Sequence, residues 1–174
     1  MSVRPNLRMM RDPALLIASG FGAGLSPIAP GTVGSAVALL PYLALRDAAW
    51  WWLWAAIVVT FAIGVRTATH AIKVLQREDP PLVVLDEWVG QWLALGLIEL
   101  MIDAAPAVFG VPPLWLVVVT GFITFRACDI AKPWPASLAD RVVGGGFGAM
   151  FDDAIAGVWA GLLGGALLAA MYTL

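Results

Sequence analysis

The chain has 174 residues, 61% of them hydrophobic and only 13% charged, with a mean hydropathy of +0.87 and a formal net charge of −2. A soluble domain of this size cannot cover itself with so few charges, which excludes a water-soluble globular protein and points to an integral membrane protein of one domain over residues 1–174. The weak net charge gives no sign of a nucleic-acid partner, and the single cysteine, Cys128, excludes an intramolecular disulfide or a Cys-rich zinc site.

Residues 1–12 read as a flexible cytoplasmic N-terminus. Arg4, Arg8 and Arg11 ahead of an apolar run resemble the start of a signal peptide, but no clean small-residue cleavage site follows, so the segment is expected to be retained. No charge occurs from Pro13 to Leu45. One helix over that run would extend about 50 Å, beyond a hydrocarbon core of about 30 Å. The run therefore breaks, and GAGLSPIAPGTVGS from Gly22 to Ser35 is where its prolines and glycines allow it. A short helix, a re-entrant or interfacial Pro/Gly loop and a first span ending near Arg46 are expected.

Ala48 to Val65 reads as a second span, opened by an interfacial belt of Trp50, Trp51, Trp52 and Trp54. Beyond it the helix becomes amphipathic, with Ala68, Ala71, Ile72 and Leu75 on one side and Arg66, His70, Lys73 and Arg77 on a basic face, either solvated or near anionic headgroups. Pro80-Pro81 ends it. Leu82 to Ile102, interrupted near its start by Asp86, Glu87 and Gln91, is a third span; Leu114 to Phe125 is a short fourth, Arg126 to Asp153 a polar segment, and Ala154 to Leu174 the last. The predicted fold is all-α: a polytopic helical membrane protein with about five spanning helices and cytoplasmic-side helical segments. With the N-terminus in the cytoplasm, all of the ten Lys and Arg residues except Arg46 lie inside, a strong positive-inside bias.

That orientation carries three acidic elements to one membrane face: Asp86-Glu87, Asp129, and Asp152-Asp153 at the mouth of the last span. Charges near hydrocarbon are costly and mark sites. Carboxylates from separate helices suit a hard divalent cation such as magnesium, which shares its coordination with phosphate oxygens. Each pair alone is equally compatible with a helix-dipole role. Arg126, Asp129 and Lys132, three residues apart, share a helix side before Pro133. Arg126 and Lys132 can hold phosphate oxygens while Asp129 binds metal or orients water, or the three form a salt-bridge ladder. Thr32, Ser35 and Arg141 are candidate substrate-binding residues, the first two beside backbone N–H groups at a helix start. His70 is the only histidine, so a two-histidine phosphatase cannot be built, and Cys128 lacks the Arg of a cysteine phosphatase loop.

GFGAGLSPIAPGTVGS, LDEWVGQ, FRACDIAKPWP and GGGFGAMFDDAIAG, in this order from Gly20 to Gly157, resemble the phosphatidylglycerophosphatase A family. The resemblance implies a magnesium-dependent phosphatase of the bacterial cytoplasmic (inner) membrane, facing the cytoplasm, that converts phosphatidylglycerophosphate to phosphatidylglycerol. The motif acids stand here as Asp86, Glu87, Asp129, Asp152 and Asp153. The alternative is a small transporter or channel that binds an ion in the same carboxylates without hydrolysis; the single-sided acids and the lack of symmetric halves count against it.

Overall fold

The computed structural model describes residues 6–49 and 51–173, so Arg4 and Trp50 lie outside the described residues. Every regular element among them is helical. A 3-10 turn at Leu7–Arg11 leads into α1 (Pro13–Ala18), where Asp12 caps the helix by accepting from the Ala14 and Leu15 amides and Pro13 supplies the preset first turn. Its far oxygen meets His70 Nε2 at 2.8 Å, so the lone histidine ties the N-terminal segment to the third helix.

The Pro/Gly stretch forms consecutive tight turns and the 3-10 helix Ala23–Leu25. Ala29, at φ 45, then redirects the chain into α2 (Pro30–Leu45). The predicted second span and its amphipathic extension are one helix, α3 (Trp51–Leu75), stopped at Gln76 with φ 51 before Pro80 is reached. Ala68, Ala71 and Leu75 pack against Leu15, Ala18 and Leu82, which accounts for the amphipathic half.

The acidic end of α4 (Leu85–Ala104) opens the central helix of the bundle. Trp88 and Trp92 pack toward α2, with Trp92 Nε1 donating to the Ala38 carbonyl at 2.7 Å, and Leu95 and Ile98 fill the middle. A short α5 (Pro106–Phe109) precedes α6 (Leu114–Ala131), which runs past the expected end at Phe125 and carries Arg126 and Asp129 on its last turns. After α7 (Ala136–Val142), α8 (Gly145–Thr173) begins earlier than the expected Ala154. Asp152 and Asp153 therefore sit inside a helix rather than at its mouth. The glycine-rich start looks like a loop by propensity, but a side chain at Gly146 would strike Val65 O and Thr69, and one at Gly148 would strike Val143 O. Close packing against α3 and α7 offsets the helix cost of glycine.

The seam between α4 and α8 is closest. A Cβ on Gly157 would collide with the Gly90 backbone, and one on Gly90 would meet Phe125 and the Asp153 carbonyl. Small residues let helix backbones touch in this way within membranes. Outside the bundle the apolar residues face outward: Val58 is 68% and Ile123 59% exposed. Helices α3, α6 and α8 are each long and apolar enough to cross a membrane, and α2 is a shorter apolar helix. This is a membrane protein, with lipid covering an outer surface that water would not tolerate.

Candidate active site

Helix segments and the connections between them meet at one end of the bundle around a cavity of about 930 Å³. The start of α4 contributes Asp86 and Glu87, where an N-terminal dipole favours negative charge. The adjoining turns of α8 contribute Asp152 and Asp153, both 5% exposed. The end of α6 contributes Arg126 and Asp129, and the first turn of α2 contributes Gly31 and Thr32.

Within this wall the acids separate by partner. Oxygens of Asp86, Glu87 and Asp153 lie within 4.8 Å of one another. Like charges at that spacing repel by about 3 kcal/mol per pair at an effective dielectric of 20. Opposite ligands of a magnesium-sized ion stand about 4.2 Å apart, so a closure of a few tenths of an ångström lets one cation reach all three and reverse the sign of that energy. Glu87 Oε2 is buried without a hydrogen-bond partner among the described residues, so no protein donor there neutralises it and a cation could. Asp129 lies close enough to act electrostatically on Asp153 and borders the cluster.

The cationic groups are held from behind. Arg126 Nη2 pairs with Asp129 Oδ2 at 3.0 Å, and Nη1 donates to Ser35 Oγ at 3.2 Å. Ser35 itself donates to the Gly31 carbonyl at 3.0 Å and is fully buried, so it supports Arg126 instead of lining the cavity. Gly31 is required by proximity: a Cβ there would strike Glu87 Oε1 and come within 3.3 Å of Arg126 Nη2.

Lys132 departs from the predicted one-sided ladder. It follows the last turn of α6 at φ 43, its N–H closing on the Cys128 carbonyl at 2.8 Å, and so swings away from Asp129. Its Nζ donates to Asp140 Oδ1 at 2.7 Å and to Asp152 Oδ2. Burial works against the ammonium, but these two carboxylates hold its pKa above the usual lysine range. Asp152 thus faces a cation already in the chain, while its neighbour Asp153 faces the acids.

Of the residues singled out from sequence, Asp86, Glu87, Asp129, Asp152, Asp153, Arg126, Lys132 and Thr32 all line the cavity. Arg141 is exposed on α7 and does not. Sequence reasoning missed Asp140, whose approach to Lys132 depends on the turn through Pro133 to Pro135, and Gly31, whose lack of a side chain matters only once α2 meets α4. Glu78 and Asp79 also reach the cavity wall.

A cavity walled by an acid cluster able to hold a cation and by two anchored cationic side chains, at the end of an apolar bundle, fits a membrane enzyme of the lipid phosphatase class. Residues 16–168 match the family model described as Phosphatidylglycerophosphatase A, and the chain belongs to that family. It is 39% identical to the Phosphatidylglycerophosphatase A of Escherichia coli (strain K12), over 86% of this chain and 80% of that protein. It is 36% identical, over 86% of this chain and 89% of the other, to a Bacteroides thetaiotaomicron protein named as a candidate phosphatidylinositol-3-phosphatase. A third relative, the Phosphatidylglycerophosphatase A of Haemophilus influenzae, is 31% identical over 86% of this chain and 85% of its own length. No solved structure matches the chain.

Proposed function

We propose that the chain, acting as a single domain, hydrolyses the terminal phosphate of phosphatidylglycerophosphate to give phosphatidylglycerol, with magnesium held by Asp86, Glu87 and Asp153. The observation that carries this reading is the meeting of those three carboxylates with Arg126 and Lys132 in one cavity. Magnesium, when bound there, would neutralise charge on the phosphate and make a bound water more acidic than bulk water.

The chain's own groups do the rest. Arg126, fixed by Asp129 and Ser35, presents its guanidinium to two phosphate oxygens without having to reorganise. Lys132 is a fixed charge rather than an acid, since two carboxylates keep its ammonium protonated. Asp152 and Asp140 position it. Asp129, at the edge of the cluster, orients the attacking water. The water oxygen bonds to phosphorus, the bond from phosphorus to the glycerol oxygen breaks, and inorganic phosphate leaves while a proton passes to the glycerol oxygen. Thr32 hydroxyl on the first turn of α2 donates to the phosphate, with the helix N-terminus behind it.

In the proposed topology the five long helices α2, α3, α4, α6 and α8 span a bacterial inner membrane, and the Pro/Gly turns before α2 lie at the interface. The cytoplasmic placement of the cavity rests on the Lys and Arg distribution. At headgroup depth a diacyl substrate keeps its chains in the bilayer and offers only its phosphate.

The test is phosphate release by purified protein from phosphatidylglycerophosphate, phosphatidylinositol 3-phosphate and glycerol phosphate, with magnesium or with excess chelator. Magnesium-dependent turnover that strongly favours phosphatidylglycerophosphate is expected. Full turnover in chelator removes the metal reading, and equal efficiency on glycerol phosphate removes the lipid one.

A further inference from the structure

One buried polar side chain, a helical turn from the cavity wall, has no place in the chemistry above. Gln91 on α4 is fully buried, and neither Oε1 nor Nε2 has a hydrogen-bond partner among the described residues. Leaving a buried donor or acceptor unsatisfied costs about 1–3 kcal/mol each, so an amide with both atoms in that state calls for a functional reason. Its neighbour one turn earlier on the same face of α4 is Glu87, whose Oε2 is also buried and unpartnered. Side chains on a helix lean toward its N-terminus, which on α4 is the acidic end, so Gln91 leans toward Glu87.

We propose that Gln91 is a positioning residue for the cation site: when the cation binds, a rotation of the two side chains lets Gln91 Nε2 donate to Glu87 Oε2, both unpartnered in this structure, and turns Glu87 Oε1 toward the oxygens of Asp86 and Asp153. The inference rests on the reading that these three carboxylates hold a divalent cation. An amide suits the task because it orients a carboxylate without adding charge. A lysine or arginine there would cancel the ligand's charge and repel the cation. Groups that orient metal ligands in this way are worth roughly 10- to 100-fold in metal affinity.

The experiment follows the thermal midpoint of purified protein against magnesium concentration, without substrate, for wild type, Gln91→Leu and Gln91→Met. Both variants remove the amide and keep the volume, so the metal-free midpoint should hold or rise, since an apolar group replaces an unsatisfied one. The magnesium concentration for half of the stabilisation should rise about 10- to 100-fold. Activity should show the same shift in magnesium dependence, with the lipid KM unchanged at saturating magnesium. In a Glu87→Gln background, Gln91→Leu should add no further shift. Magnesium dependence within twofold of wild type in both variants overturns the proposal, whether or not the metal-free midpoint falls. An equal shift in the Glu87→Gln background also overturns it, because Gln91 would then act independently of Glu87. A wild-type protein that does not respond to magnesium refutes the cation site itself, a different result from variants that match a responding wild type.

Discussion

The adjacent acids of α8 offer the sharpest test, because Asp153→Asn and Asp152→Asn should fail in different ways. Asp153 shares a radius of 4.8 Å with oxygens of Asp86 and Glu87. Removing its charge relieves two repulsions of about 3 kcal/mol each at an effective dielectric of 20, so the metal-free protein should be as stable as wild type or more so. The same change removes a charged ligand from the proposed cation site. The rate should fall by orders of magnitude, with partial recovery at high magnesium. Asp152, by contrast, is paired with Lys132, which keeps Asp140 as a second partner. Asp152→Asn should lower the melting midpoint and raise the KM for lipid, leaving the magnesium dependence near wild type. The assay is a magnesium titration of both phosphate release and thermal midpoint for the two variants. Near-normal turnover of Asp153→Asn in ordinary magnesium, or identical behaviour of the two variants, would refute the division of roles.

Four further outcomes are expected. Glu99→Gln, which loses the ionic acceptor for Tyr42 Oη at 2.8 Å and Arg46 Nε at 3.2 Å, should cost about 1–3 kcal/mol of stability with turnover intact; it lies about 18 Å along α4 from Glu87. Gly157→Ala should push α8 off the Gly90 backbone, destabilise by about 1–3 kcal/mol and reduce activity more than that loss explains, read as rate at temperatures well below the melting midpoint. The hydrogen bond from His70 holds the Asp12 carboxyl below its usual range, so its stabilising contribution is present above the unfolded value near pH 4 and lost as pH falls below it; Asp12→Asn should flatten the melting midpoint over that acidic window only. A reporter fused to the C-terminus should be active outside the cytoplasm; activity only inside would count against five spans with an internal N-terminus.

The long helices were legible because their apolar runs are long and their interruptions are prolines, glycines and charges. The gathering of acids was legible from charge placement alone: Asp86, Asp129 and Asp152 are far apart in the chain, yet all line one cavity. What escaped the sequence depended on tertiary contact. The start of α8 at Gly145 reads as a loop until α3 and α7 pack on it. The spacing of Arg126, Asp129 and Lys132 gave a continuous helix face, but the left-handed turn at Lys132 broke it and sent the ammonium to Asp140 and Asp152. Asp152 and Asp153 read as one pair, although neighbours on a helix point about 100° apart and so meet different partners.

The contact between Gly90 and Gly157 has a mechanical consequence. The distance between the acids of α4 and those of α8 is set by two backbones in contact, the stiffest spacer a protein has, and not by side chains that can change rotamer. Bilayers differ in thickness by several ångströms, and embedded helices accommodate the difference by tilting. Here α3 can take up the tilt while the central pair, with Phe125 of α6 against Gly90, moves as one body. The spacing of the proposed cation ligands is thereby insulated from the solvent it sits in, and the magnesium affinity proposed for them should be the same in short-chain and long-chain lipid.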